Sequence, residues 1–366
     1  MRGRPENEFP SAQPSGRNLV SIHTAIDIHT HIVPYDLPAS AGRTAQALWP
    51  QVVAGQSCQH RNVVIDGKVF RTVTEECWSV ERRLEHMGST GIGRQVLSPM
   101  PELLSYWLPT EDALVLCRHV NDAIAGMVAQ KPQNFSALGC VPLQDPELAA
   151  RELERLMALG TFRGVEIGTN INGTAIGDRR FEVFYAAAEA LDAALFVHPL
   201  HPVGVERLVG PPTLVQLLAF PGETALSVAS LITGGVLERH PKLRIAISHG
   251  GGGFALTLPR LAFGWKHINI KPGGRSPVEQ AQSLYYDTLV YDAPTLRHLI
   301  AVFGKTQICI GTDHPFVIQD HTPLARIDDV RLGEADKMLL IEGNARRLLG
   351  EPMLESPETG RSNHMP

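Results

Sequence analysis

The chain has 366 residues, of which 43% are hydrophobic and 19% are charged, a composition typical of a soluble globular protein. Its formal net charge of −5 gives no reason to expect nucleic acid or a membrane surface as a partner. The five cysteines are scattered and form no Cys-x-x-Cys pair, which is typical of reduced thiols in a cytoplasmic protein. We find no run of about eighteen apolar residues and no secretory signal, so we expect no membrane span.

Short apolar runs alternate with helix-like stretches along most of the chain. The runs cover 25–31, 95–99, 136–142, 164–168, 194–198, 244–249, 284–289 and 307–313. The helix-like stretches cover 80–90, 111–131, 146–160, 178–193, 223–240, 253–267, 293–305 and 334–349. Repeated β-then-α units predict an α/β fold, a (β/α)8 TIM barrel over residues 24–350, with a doubly wound sheet as the alternative. We expect residues 1–23 and 351–366 to be flexible tails, because proline recurs in both.

Two segments interrupt this alternation. Segment 34–74 is too long for a plain loop between a strand and its helix. Within it, Val63–Arg71 has the pattern of a hairpin with an Asp-Gly turn, so we expect a small β insertion over the barrel mouth after the first strand. The second segment, Pro199–Gly222, is rich in proline, and we expect it to line the substrate pocket.

Histidine and aspartate stand at the ends of several predicted strands. His29 and His31 are two residues apart in the first run, so they share one face of a strand. His198, His249 and Asp313 each end a later run. The active sites of barrels lie at the C-terminal ends of their strands. Three imidazoles and a carboxylate suit Zn²⁺ with an open position for water, so the sequence predicts a metal site.

One of these five side chains is left over for proton transfer, because a metal of this kind takes about four protein ligands. We assign proton transfer to His249, since the glycines that follow it allow a tight turn and close backbone approach. The alternative is that His249 is a further metal ligand.

The chain resembles the metal-dependent amidohydrolase superfamily, and within it the branch of non-oxidative decarboxylases. The resemblance runs from about Ile26 to Gly350. The motifs that carry it are 66–71, Cys77-Trp78, 197–199, 248–252 and 311–316. It implies one Zn²⁺ per chain, with Mn²⁺ or Co²⁺ as alternatives. The implied metal ligands are His29, His31, His198 and Asp313, and the implied catalytic residues are His249 and Asp313.

The resemblance also implies how a dicarboxylate substrate is bound. Arg71 in the insertion and Arg260 match two arginines of the family, the second of which is supplied by the neighbouring subunit of a homodimer. A guanidinium suits this role because it binds carboxylates bidentately and stays charged. His201 and Trp78 are further candidates for substrate contact. The alternatives are surface charges for both arginines and a loop-capping role for His201.

The implied activity is Zn-dependent, O₂-independent decarboxylation. The substrate would be an amino- or hydroxy-carboxymuconate semialdehyde or a related aromatic-derived dicarboxylate. The chain departs from the family pattern at 200–216, where Gln216 replaces a pocket tryptophan, so the exact substrate stays open. The alternatives are a hydrolase of a cyclic amide, lactone or C–N bond, and a barrel without turnover. Run 164–168 has no lysine for a carbamylated two-metal site, and its Glu166 either bonds within the barrel or bridges a second metal.

Overall fold

The computed structural model describes residues 24–40, 48–268 and 274–352. The expected tails lie outside these residues, except for Glu351 and Pro352. Glu351 belongs to the folded body, because its carboxylate lies 2.6 Å from the Arg94 guanidinium.

The strands in chain order are β1 (Ile26–Ile32), β2 (Gln51–Ala54), β3 (His60–Ile65), β4 (Lys68–Thr74), β5 (Arg94–Pro99), β6 (Phe135–Gly139), β7 (Phe162–Gly168), β8 (Asn170–Ile171), β9 (Thr174–Ala175), β10 (Ala194–His198), β11 (Arg244–Ile247), β12 (Tyr285–Asp287) and β13 (Ile308–Cys309). Eight parallel strands form the sheet that the sequence predicts, in the order β1-β5-β6-β7-β10-β11-β12-β13. Bridges from Asp27 to Ile310 and from Thr30 to His314 join the last strand to the first. The sheet is therefore a TIM barrel.

The insertion after β1 is a three-stranded antiparallel sheet in the order β2-β3-β4. The predicted hairpin joins β3 to β4, and Asp66 and Gly67 in its turn have φ of 51° and 68°. Positive φ at both central residues is what a two-residue type I′ turn requires, and the Asp-Gly pair supplies it at little cost. The insertion is therefore confirmed, and β4 carries Arg71.

Helices surround the barrel. They are α1 (Val80–Thr90), α2 (Thr110–Gln130), α3 (Pro146–Ala158), α4 (Glu182–Ala190), α5 (Phe220–Thr233), α6 (Val236–Arg239), α7 (Phe254–His267), α8 (Pro277–Ala281), α9 (Ala293–Phe303), α10 (Pro323–Val330), α11 (Glu334–Met338) and α12 (Asn344–Leu348). The predicted stretch 178–193 is shorter as an α-helix, because a 3₁₀ turn (Arg179–Phe181) precedes α4. The predicted stretch 334–349 is α11, a π-helical turn (Leu339–Gly343) and α12 in succession.

One apolar helical stretch bears on the expectation that the chain has no membrane span. Val215–Thr233, which includes α5, is long and apolar enough by length and composition to cross a membrane. In this fold α5 packs against α6, α7 and α8, and it buries Val228, Leu231 and Ile232. The sequence count missed this stretch because Gln216, Gly222 and Glu223 interrupt the apolar residues.

Apolar side chains fill the barrel below its mouth. One buried cluster joins residues of the strands to residues of α12, namely Ile26, Ile28, Val96, Leu138, Ala194, Phe196, Ala246, Cys309, Ala345 and Leu348. A TIM barrel is a packed core of this kind and not a pore, so polar chemistry is confined to the mouth at the C-terminal ends of the strands. The larger cluster lies between strands and helices.

Candidate metal centre

Four side chains predicted to bind a metal meet at the barrel mouth. His29 and His31 lie on β1, His198 is the last residue of β10, and Asp313 follows β13. All four are buried, and each offers a ligand atom that lies within 4.8 Å of the others. Strand β1 shifts its register against β5 between Asp27 and Thr30, so its two faces do not alternate strictly. Both histidines nevertheless reach the same point.

Each of the three histidines presents its Nε2 atom to this point. The Nδ1 atoms lie 2.7 Å from Asp287 Oδ2 for His29, 2.9 Å from the Pro99 carbonyl for His31, and 3.0 Å from the Pro199 carbonyl for His198. An oxygen acceptor at Nδ1 places the ring proton there and leaves Nε2 with a free lone pair. The three rings are therefore held in the tautomer that a metal requires.

The converging atoms fit a divalent cation. His29 Nε2 and Asp313 Oδ1 each lie 3.1 Å from His31 Nε2. His198 Nε2 and Asp313 Oδ1 are buried and have no hydrogen-bond partner among the described residues. Buried polar atoms without partners are costly, and a cation shared between them removes that cost. Three imidazole nitrogens and a carboxylate oxygen are a donor set typical of Zn²⁺ and related divalent metals.

The charges around the site favour metal binding. Burial raises the pKa of Asp313, but the adjacent His31 ring and the neighbouring imidazoles lower it to about 2, so the carboxylate stays ionised. Burial lowers the pKa of His31 and takes that of His198 well below its usual value, so both rings are neutral. Burial also lowers the pKa of His29, but Asp287 and Asp313 raise it to about 9. A metal that binds here therefore displaces a proton from His29.

Two buried aspartates that the sequence analysis missed hold the ligands in place. Asp287, the last residue of β12, accepts hydrogen bonds from the His29 ring and from the backbone N–H groups of His249, Gly250 and Leu289. Asp27 accepts from the His29 N–H and from the N–H and hydroxyl of Thr312, so it ties β1 to the strand end that carries Asp313. Asp287 lies inside the predicted run 284–289 and ends β12 in the structure, so a carboxylate within an apolar run was the signal available in the sequence.

His249 lies beside the four ligand side chains and outside their set. Its ring centroid is 5.3 Å from that of His29 and 5.1 Å from that of His198. Burial and the charge of His29 lower its pKa to about 4, so the ring is neutral and able to accept a proton. The residue has a φ of 54°, and Gly250 and Gly251 after it also have positive φ. The tight turn expected after His249 is therefore present.

Glu166 points into the barrel next to the metal ligands. Its Oε2 lies 3.6 Å from His31 Nδ1, and burial raises the pKa of the carboxyl to about 8. Glu166 therefore lies inside the barrel, but both of its carboxylate oxygens are buried without a hydrogen-bond partner among the described residues, so the expected bond within the barrel stays a prediction. Within residues 24–40, 48–268 and 274–352, one cluster of potential metal ligands is present, and Glu166 is not part of it.

The ring of Phe316 lies between the Arg71 guanidinium and the metal ligand His31. Its guanidinium carbon lies 3.9 Å above the centroid of the Phe316 ring, and Phe316 stacks on His31 with centroids 5.2 Å apart. The Arg71 Nε atom is buried and has no hydrogen-bond partner among the described residues. The insertion thus brings a cation with an unused donor to the barrel mouth.

The other predicted substrate contacts lie further out. Arg260 is exposed on α7 and lines a groove between α5 and α7, so one chain alone does not bring it to the metal ligands. The His201 ring is exposed and lies 5.2 Å from that of Trp107. Trp78 is half-buried and packs edge-on against Tyr35. Gln216 is half-buried in a π-helical turn (Val215–Ala219) that leads into α5.

Glu223 and Asn170 anchor the proline-rich segment near the site. The two oxygens of Glu223 accept from the Asn170 side chain and from the Val203 N–H. The Asn170 amide also donates to the Leu200 carbonyl at 2.8 Å. These bonds fix the beginning of segment 199–222 next to His198.

A TIM barrel with three histidines and an aspartate at its mouth defines a metal-dependent barrel enzyme. The profile of the Amidohydrolase family matches residues 26–350. The chain is 34% identical over 334 residues to 2-amino-3-carboxymuconate-6-semialdehyde decarboxylase of Dictyostelium discoideum, covering 89% of this chain and 91% of that protein. The chain therefore belongs to the amidohydrolase family, in its branch of metal-dependent non-oxidative decarboxylases.

Solved structures share the fold. The apo form of IDCase from Metarhizium anisopliae superposes with a TM-score of 0.76 at 23% identity, covering 89% of this chain and 97% of that one. Dihydroxybenzoic acid decarboxylase from Polaromonas sp., with bound manganese and the inhibitor 2-nitroresorcinol, superposes with a TM-score of 0.70 at 24% identity. That match covers 90% of this chain and 97% of the other.

Proposed function

We propose that this chain is a Zn²⁺-dependent, O₂-independent decarboxylase of an amino- or hydroxy-carboxymuconate semialdehyde or a related aromatic-derived dicarboxylate. The observation that carries the proposal is the position of Arg71. Its Nε donor has no partner among the described residues, and the Phe316 ring lies between its guanidinium and the metal ligand His31. A cation placed there suits a carboxylate of a substrate that also reaches the metal. The 34% identity to the Dictyostelium decarboxylase supports the same substrate class.

Zinc is the metal we propose for the site. The donor set is rich in imidazole, which favours Zn²⁺ over Mg²⁺ or Ca²⁺. Mn²⁺ is the first alternative, since the Polaromonas structure contains manganese. A bound divalent ion supplies Lewis acidity toward a substrate oxygen or a water molecule.

The chain's own residues bind and orient the substrate and move the proton. Arg71 binds one carboxylate of the substrate and so orients the other over the site. The bond from the substrate carbon to that second carboxylate breaks, CO₂ leaves, and the electron pair stays in the conjugated system of the substrate. The carbon finally gains a proton in place of CO₂. His249 takes this proton from a water molecule, whose hydroxide is left for the released CO₂, and passes it to the carbon, because its neutral ring can take a proton and return it.

We further propose that a second copy of the chain covers the groove between α5 and α7. The groove has a volume of 810 Å³, and Leu226, Phe263 and Ile268 on its walls are largely exposed. Exposed apolar side chains in one place are typical of a protein interface. Arg260 stands in the same groove, so a partner chain seated there would receive a cation from this one. The complete site would then contain Arg71 of one subunit and Arg260 of the other.

The function is tested by supplying freshly generated 2-amino-3-carboxymuconate semialdehyde to Zn-loaded protein and measuring both CO₂ and the product. We expect CO₂ release that Arg71→Ala lowers by at least about 100-fold, as removing a charged substrate contact does. Arg61→Ala is the matched control, because Arg61 lies on the neighbouring strand β3 and stacks on Tyr35. An absence of CO₂ from protein that holds one zinc per chain would overturn this substrate. Equal losses in both variants would remove Arg71 from the site.

The shared site is tested by mixing Arg71→Ala and Arg260→Ala chains, each inactive alone. If Arg260 acts across the interface, a mixed dimer contains one site with both arginines and one site with neither. Random exchange of equal amounts then restores about a quarter of the wild-type activity, since half of the dimers are mixed. If Arg260 acts within its own chain, mixing restores nothing, and the proposed arrangement is wrong.

A further inference from the structure

Glu102 is a buried carboxylate at the barrel mouth that the metal site does not use. It lies in the 3₁₀ turn Pro101–Leu104, which follows directly after β5, and it is 3% exposed. Its Oε2 atom is buried and has no hydrogen-bond partner among the described residues. An unpaired buried carboxylate oxygen is costly, and in a native structure it calls for a function or for a bound partner.

The charges that act on Glu102 belong to residues of the barrel mouth. Burial raises the pKa of Glu102, the charge of Arg71 lowers it, and the charge of Asp313 raises it. Glu102 in turn raises the pKa of Glu166. Such direct effects between charges act over short distances in a protein interior. The geometry agrees, because the Met100 N–H just before the turn donates to the Ile32 carbonyl of β1, the strand that carries His29 and His31. Glu102 therefore lies at the barrel mouth together with Arg71 and the metal ligands.

Glu102 and Arg71 both lie at the barrel mouth, but they do not form an ion pair with each other. Within the described parts of the chain, no ion pair of 4.0 Å or less joins them, although opposite charges at the same mouth attract. Each keeps a buried atom without a partner, Oε2 in Glu102 and Nε in Arg71. A buried donor and a buried acceptor at the same barrel mouth, neither with a partner among the described residues, fit a ligand that brings both an acceptor and a donor.

We propose that Glu102 is a specificity-determining residue, whose carboxylate accepts a hydrogen bond from an amino or hydroxyl group of the substrate bound by Arg71. This inference rests on the proposed function and deepens it, since it names the group beside the carboxylate as a hydrogen-bond donor. The Oε2 atom of Glu102 has no partner among the described residues and can accept a hydrogen bond, so a ligand with a donor at this place satisfies it. A ligand without that donor leaves Glu102 unpaired and is rejected, because it must desolvate the carboxylate without replacing its bonds.

The test measures binding by calorimetry to Zn-loaded protein, so it does not depend on turnover. The probes are benzene-1,3-dicarboxylate, its 2-amino and 4-amino derivatives, and the corresponding methoxy compounds, which lack a donor. We expect at least one amino derivative to bind about 10-fold more tightly than the parent and its methoxy analogue. In Glu102→Val this preference should disappear, and the parent should bind at least as tightly as it binds to the wild type.

Two further variants complete the test. Glu102→Gln keeps the shape of the side chain but removes the charge, so it should lose most of the preference even if the valine variant does not fold. Glu111→Gln removes an exposed acid in the first turn of α2 and should leave the preference unchanged. If Glu102 only oriented Arg71, both variants at position 102 would weaken all dicarboxylates alike, and the proposal would be wrong.

The remaining outcomes separate this inference from the proposed function. Binding of all probes with no amino preference in the wild type overturns the role of Glu102 and leaves the decarboxylase proposal intact. A preference that Glu102→Gln abolishes supports Glu102 even if no CO₂ is released in the separate assay. Failure of every probe to bind the Zn-loaded protein overturns the inference as well.

Discussion

Replacing Asp287 with asparagine should weaken metal binding although Asp287 does not contact the metal. The Asp287 carboxylate lies 2.7 Å from His29 Nδ1 and so holds the ring proton at that atom. Asparagine can turn its amide NH₂ toward His29, and the ring must then accept at Nδ1 and carry its proton at Nε2. In that tautomer His29 cannot donate a lone pair to a metal.

The size of the effect follows from the contacts of Asp287. Losing an outer-shell carboxylate typically lowers metal affinity by about 10- to 100-fold, or about 1.4–2.7 kcal/mol. The metal-free protein should also lose stability, because Asp287 accepts from the backbone N–H groups of His249, Gly250 and Leu289 as well. One amide oxygen cannot replace all of these bonds, and we expect a cost of about 1–3 kcal/mol in the free energy of unfolding.

Competition between the protein and a chelator of known zinc affinity measures the first quantity, and urea unfolding of the metal-free protein measures the second. Asp292→Asn is the matched control, because Asp292 caps α9 by accepting from the Thr295 N–H, and asparagine caps helices equally well. The control should change neither quantity appreciably. A zinc affinity of Asp287→Asn within about twofold of the wild type would refute the assignment of Asp287 as the residue that sets the His29 tautomer.

Two matched pairs of substitutions test the buried contacts and backbone turns that support the metal site. Arg83 is fully buried on α1 and donates to the His31 carbonyl, so Arg83→Met should lower the free energy of unfolding by about 2–4 kcal/mol. Arg82→Met, one residue away and half exposed, should cost less than about 1 kcal/mol in the same urea titration, and equal costs would contradict the burial argument. Gly252→Ala should destabilise by more than about 2 kcal/mol, because φ is +59° and the new Cβ would lie 1.9 Å from the Pro221 carbonyl oxygen. Gly253→Ala meets nothing within 4 Å and should cost less than about 1 kcal/mol, so thermal melts that rank the two glycines in reverse would be inconsistent with this geometry.

The barrel and the metal ligands could be predicted from the sequence because each has a local signal. Strand ends that carry His198 and Asp313 are visible as apolar runs that stop at a polar residue, and parallel strands bring such ends together. The Asp66-Gly67 pair marks the hairpin in the same way, through the backbone angles that the turn requires. Each of these signals lies within a few consecutive residues, so a single sequence is enough to predict the feature.

The parts that could not be predicted depend on contacts between distant segments. His240 ends the helix-like stretch 223–240, whose pattern does not show that this side chain is buried and bonded to Glu182 and Glu189. Glu102 has no motif, and its role appears only when the turn after β5 faces Arg71 on β4. Arg260 is exposed on α7, and the role proposed for it depends on a second copy of the chain. Tertiary and quaternary contacts decide these positions, and local pattern does not.

We propose that His249 moves the proton and that the four other side chains hold the metal. The direct measurement is the metal content and the CO₂ release of His249→Asn, with His240→Asn as a control at a buried histidine outside the site. We predict that His249→Asn keeps one zinc per chain and loses at least about 100-fold in CO₂ release, as expected when a proton-transfer group is removed. Loss of zinc from His249→Asn would show that His249 is a ligand, and a near wild-type rate with zinc retained would show that the proton comes from elsewhere.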